Sequence, residues 1–141
     1  MTQEDKDLLL KYLCMALPYG VICNDNRHGS GRVTNIDITP DDIEHKNSKV
    51  VVYYFDFDEC GELKNCKPYL RSMDSMTDDE EEELRLLKNQ LVDCNENNDE
   101  KFYGIISEID NLYLSHHIDF MGLIPKNLAI EITKTNNPYK D

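Results

Sequence analysis

At 141 residues the chain has the size of one ordinary domain, which buries roughly 68–70% of its unfolded surface and needs no metal or disulfide staple to hold a core. Its cysteines, Cys14, Cys23, Cys60, Cys66 and Cys94, are odd in number and contain no C-x-x-C pair, which argues against a disulfide framework or a zinc knuckle. With 28 acidic against 15 basic residues the formal net charge is −13, a field that repels phosphate backbones and anionic lipid and so disfavours direct nucleic-acid or membrane binding.

Thr2 and Asp5 form a capping-box pattern, and Leu9, Leu13 and Ala16 recur at helical spacing, so a helix is expected over Gln3–Leu17. Its only apolar run, Leu8 to Leu10, is hemmed in by Asp5, Lys6, Asp7 and Lys11 and is too short for a signal peptide. A cytoplasmic protein is expected. Pro18 and Gly20 stop the helix, and Tyr19–Asn24 and Arg32–Ile38 read as two strands around the polar turn Asp25–Gly31. The segment Thr39–Ser48 reads as a loop. Lys49–Phe57, with Val50 to Phe55 unbroken, is a strand expected to be buried on both faces.

Asp58–Gly61 reads as a turn and Leu63–Leu70 as a short extended piece. Thr77 and Glu80 open a second capped helix over Asp78–Asp93, with Leu84, Leu87 and Leu91 on one stripe. Cys94–Glu100 carries three asparagines and no periodicity, as a disordered loop would. Ser107 with Asp110 reads as the cap of a third helix carrying Ile109, Leu112, Tyr113 and His116 on one face. Asp119–Pro125 turns the chain into a last strand over Leu128–Ile132. The whole is expected to be one α+β domain over residues 1–141, with three helices and a mostly antiparallel sheet of four or five short strands.

Three patterns resemble chemical sites. Asp56, Asp58 and Gly61 mimic the start of a calcium-binding loop, but Cys60 and Lys67 occupy positions where oxygen ligands are required. Arg27 to Arg32 is a locally basic, glycine-containing turn that lacks the lysine of a P-loop and the third glycine of a dinucleotide fingerprint. His116, His117 and Asp119 have metal-like composition, although adjacent histidines on a helix point about 100° apart. No nucleophile motif is present, and no cofactor is expected.

Three blocks, MTQEDKDLLLKYLCMALPYGV, KPYLRSMDSMTDDE and HHIDFMGLIPKNLAIE, resemble a family of small uncharacterised proteins found in gut Bacteroidales genomes and in their phages and prophages. The resemblance implies a bacterial cytoplasm and a mobile-element setting. It transfers no catalytic residue, because the family has no assigned activity.

Charge is concentrated between Asp74 and Glu100, where eleven acids stand against Arg85 and Lys88, a local net of −9. The expected function is that of a non-catalytic acidic interaction or regulatory protein that binds a basic protein partner through Asp78, Asp79, Glu81, Glu82, Asp93 and Glu96. Acids in a first helical turn also favour the helix dipole and keep a small protein soluble. The alternative is a small metal-dependent enzyme or metal-binding protein centred on His116, His117 and Asp119.

Overall fold

Two capping boxes start two of the three helices. The computed structural model describes residues 2–40, 49–56, 59–94 and 99–139. In it the Thr2 hydroxyl accepts the Asp5 amide while the Asp5 carboxylate accepts the Thr2 amide, opening α1, Gln3–Ala16. The same reciprocal pair between Thr77 and Glu80 opens α2, Asp78–Val92. A third helix, α3, runs from Asp99 to Ser115. It begins eight residues before Ser107, because Ile105 is buried and with Ile109 extends the apolar stripe one turn further back.

After α1 a 3-10 turn over Leu17–Tyr19 ends at Gly20, whose φ of +73° few other residues adopt. The strands follow as β1 (Ile22–Asp25), β2 (Gly29–Pro40), β3 (Lys49–Phe55), β4 (Cys60–Glu62), β5 (Cys66–Leu70) and β6 (Ile130–Glu131). They form a six-stranded sheet in the order β4-β3-β2-β1-β5-β6, antiparallel except for the β5–β6 pair. The sixth strand is β4, where the sequence suggested only a turn; its pairing to β3 is a contact that no local pattern encodes. β2 extends to Pro40 into the segment read as a loop, whose remainder, residues 41–48, lies outside the described residues, as do 95–98 of the asparagine-rich loop.

Burial on β3 alternates. Tyr53 and Phe55 are buried while Tyr54 is only half-buried, so this end of the strand is covered on one face instead of both. That face receives α1, whose Leu9, Tyr12, Leu13 and Ala16 pack with Val21, Cys23, Val33, Tyr53, Phe55, Cys66 and Leu70. A second cluster joins α2 to α3 through Leu84, Leu112, Tyr113 and Ile118, and Phe120 touches both clusters. Since Glu80 meets His116 and Leu84 packs with Leu112, α2 and α3 run antiparallel. Among the described residues no helix is long and apolar enough to cross a membrane.

Candidate functional site

Glu80 is the one member of the acidic run Asp78–Glu83 that is buried. Its position at N3 of the capping box turns it inward, where Oε1 accepts the Thr77 amide at 2.8 Å. Arg71, at the end of β5, grips it with two parallel bonds, Nη1 to Oε2 at 2.9 Å and Nη2 to Oε1 at 2.7 Å. His116 Nδ1 lies 3.0 Å from Oε2. The Arg71 bonds hold the Glu80 carboxyl down to about 2, against the opposing effect of burial and with help from the Thr77 amide. Arg71 Nη2 also donates to the Ser75 carbonyl at 2.8 Å. One carboxylate thus ties the end of the sheet to the start of α2 and the end of α3.

Around it the other acids point to solvent. Asp78, Asp79, Glu81, Glu82 and Glu83 are all exposed, and only Glu82 has a cationic partner on the helix, Arg85 one turn on. Asp93 is exposed at the far end of α2, and Glu96 lies outside the described residues. Of the proposed partner-binding set, Asp78, Asp79, Glu81 and Glu82 share the first turns of α2, while Asp93 sits at the opposite end of the helix. The capping-box pattern of Thr77 and Glu80 already set Glu80 apart from its neighbours, but Arg71 and His116 as its partners carried no local signal.

The histidine cluster does not assemble into a ligand set. The helix does end there: the Ile118 amide bonds to the Tyr113 carbonyl and the His117 amide to the Leu114 carbonyl, with His117 left-handed at φ +58°. This is a Schellman motif with Tyr113 and Ile118 in hydrophobic contact across it. It sends the three side chains apart. His116 faces Glu80, and His117 stacks on Tyr139 with ring centroids 3.7 Å apart. Asp119 accepts the amides of Leu123 at 2.7 Å and Ile124 at 2.9 Å. Burial, with the charges of His116, Arg71 and Arg32, lowers the pKa of His117 to about 4, so its imidazole is neutral at pH 7. Among the described residues no group of three or more His, Cys, Asp or Glu side chains could hold a metal ion.

No family model matches the chain, and no curated protein and no solved structure matches it.

The basic turn is closed to phosphate by its own chain. Asp25, buried at the end of β1, accepts the amides of Arg27 at 2.6 Å and His28 at 3.3 Å, the donors that an anion would need. The same carboxylate accepts the Tyr53 hydroxyl. Burial would raise the Asp25 pKa, but the Tyr53 bond and the two amides outweigh it and hold the carboxyl below its ordinary range. Burial and the Asp25 bond push the Tyr53 phenol up, so it is no proton donor near neutral pH. Gly61, the glycine of the calcium-like pattern, is paired with Tyr53 in the β3–β4 ladder, and Lys67 bonds Asn127 at 3.0 Å. Asp58 lies outside the described residues.

A contact with no sequence signal bridges the seam between β1 and β5. Pro68 pairs with Cys23 in the β1–β5 ladder but has no N–H to offer. Next to it the Tyr139 hydroxyl accepts the Ile22 amide at 2.8 Å and faces the Tyr69 carbonyl at 3.3 Å. Replacing Tyr139 with Phe should orphan the Ile22 amide at a cost of about 1–2 kcal/mol. A fall in Tm of about 3–8 °C, with faster hydrogen exchange at Ile22, is the expected result; an unchanged exchange rate would show that the strap does not hold this seam.

Proposed function

We propose that the protein is a non-catalytic interaction protein whose acidic helix α2 engages a basic protein partner. The observation that carries this reading is the division within Asp78–Glu83: Glu80 alone is engaged by the fold, while its five neighbours remain exposed and, apart from the Glu82–Arg85 pair, have no cationic partner on the helix. Exposed charges of one sign steer association and reject partners of like charge, nucleic acid included. Competing chemistry has less support: the carboxylates of Asp25 and Asp119 are bonded within the chain and His116 faces Glu80, while His117 is stacked on Tyr139 apart from them. The resemblance to Bacteroidales and phage proteins supplies the setting, a bacterial cytoplasm with host proteins available as partners.

The quadruple variant Glu81→Gln, Glu82→Gln, Asp93→Asn and Glu96→Gln tests this. It removes four charges and leaves Glu80, Leu84 and Leu87 in place. Tagged parent and variant are compared as baits in Bacteroidales lysate over a salt gradient. The parent should retain proteins of high isoelectric point that elute with salt, and the variant should lose them at lower salt with its Tm unchanged. Equal retention by both baits would reduce the acidic surface to a solubility feature.

A further inference from the structure

Among the described residues the hairpin of α2 and α3 is tied to the sheet at one end. At its base are Arg71, Glu80 and His116 and the cluster of Leu84, Leu112, Tyr113 and Ile118. Helices of 15 and 17 residues reach on the order of 22–25 Å, and toward the far end, beyond the buried Ile105, large apolar side chains become exposed. Val92 is 83% exposed, Tyr103 65% and Phe102 39%, the two aromatic rings meeting edge to face at 5.7 Å. Continuing the antiparallel register set by Glu80–His116 and Leu84–Leu112 brings Val92 level with Phe102 and Tyr103. At about 100° per residue Val92 and Tyr103 turn away from the stripes joining the helices in the same rotational sense, which in antiparallel helices places them on one flank. Three large apolar side chains thus share the end of the hairpin away from that base, exposed among the described residues.

We propose that this tip is the apolar anchor for the basic partner, receiving a cationic segment that carries a bulky apolar side chain. The inference rests on the interaction reading above and names where its specificity would lie. Charge selects the occupant: between Leu86 and Tyr103 the acids Asp93, Glu96, Asp99 and Glu100 outnumber Lys88 and Lys101, and the whole chain carries −13. A second copy would bring like charge to like charge, and nucleic acid would be repelled from the same surface. Acidic helix surface supplies the approach and the aromatic tip supplies the burial, the division between rim and core found in protein interfaces.

Two synthetic peptides with the same lysines test it, one with leucines at i, i+3 and i+4 spacing and one with serines in their place, titrated at physiological salt with NMR mapping. The leucine peptide should bind about ten-fold tighter, as burial of one large apolar side chain implies, and shift Val92, Phe102 and Tyr103. The variant Val92→Ser with Tyr103→Ser changes only exposed positions; it should keep its Tm and its affinity for the serine peptide while losing the ten-fold advantage. Equal affinity for both peptides, or an advantage that survives in the variant, would overturn the anchor. So would sedimentation showing a parent dimer that the variant dissolves, which would assign the tip to a second copy. If the serine peptide binds the parent at low salt but not the quadruple amide variant, the acidic-helix reading stands whatever becomes of the anchor; if neither peptide binds at low salt, both fall.

Discussion

Replacing Gly61 with Ala is expected to leave little folded protein at 37 °C. A Cβ at this position would come within 2.6 Å of the Tyr53 hydroxyl oxygen and 2.8 Å of its ring carbon, and closer still to Asp25 Oδ2. None of these atoms can retreat easily. Tyr53 is fully buried, packed edge to face against Phe55 at 5.2 Å, and Asp25 is fixed by two turn amides. The methyl group must therefore bend the β3–β4 ladder or part Tyr53 from Asp25. Overpacking alone costs about 1–3 kcal/mol, and a buried bond to a charged acceptor about as much again. Together about 3–5 kcal/mol is a large share of the stability of a domain this size. Urea unfolding of Gly61→Ala should show the lower midpoint directly. A Tyr53→Phe, Gly61→Ala double variant should recover part of the loss, because it removes the oxygen nearest the new methyl on the ring side. A single variant that melts within about 2 °C of the parent would mean that the β3–β4 edge yields freely.

How much of this was legible beforehand follows from how far apart the interacting residues lie. Both capping boxes were readable because Thr2 and Asp5, or Thr77 and Glu80, meet within one turn. The β1–β2 hairpin was readable from Asp25 to Gly31, though Gly29 at φ +83° closes a tighter turn than those seven residues suggested. Local pattern also misled: Ser107 and Asp110 have capping spacing yet lie inside α3, since tertiary burial of Ile105 outweighs it. The pairing of Asp25 with Tyr53, 28 residues on, and the Tyr139 bridge to Ile22, 117 residues away, left no trace that a window of sequence could hold.

The candidate surface divides the same way. Charge density marked α2 from composition alone and the capping box set Glu80 apart from its neighbours, while its bonds to Arg71 and its contact with His116 needed the fold. Phe102 and Tyr103 carried no sequence reading at all. They fall between the asparagine-rich loop and the helix expected from Ser107, so no pattern gave them a face, and only the longer α3 places them exposed on a helix. Adjacent histidines suggested a metal, whereas the left-handed turn at His117 separates them.

Removing either member of the Arg71–Glu80 pair should have the second large effect, and its pH dependence identifies the cause. Their side chains are 22% and 10% exposed, and losing one partner strands the other charge among Leu84, Ile118 and the end of the sheet. Breaking a buried pair from one side costs about 3–5 kcal/mol, and the low end suits a pair that is not wholly dry. Glu80→Gln and Arg71→Met should each lower Tm by roughly 6–12 °C at pH 7, and the double variant should lose less than the sum. Because the folded carboxyl titrates near 2 instead of 4.5, the stability it contributes is fully present above the unfolded value and is lost as pH falls through the folded one. The gap between parent and Glu80→Gln should therefore hold steady above about pH 5 and narrow progressively toward pH 2, by about 3 kcal/mol in all. Measuring the same gap in a His116→Gln background removes from the comparison the imidazole that lies 3.0 Å from the carboxylate. A gap that stays constant from pH 5 to 2 would mean that the charge of Glu80 contributes nothing, and that its side chain holds α2 to the sheet only as a neutral capping group.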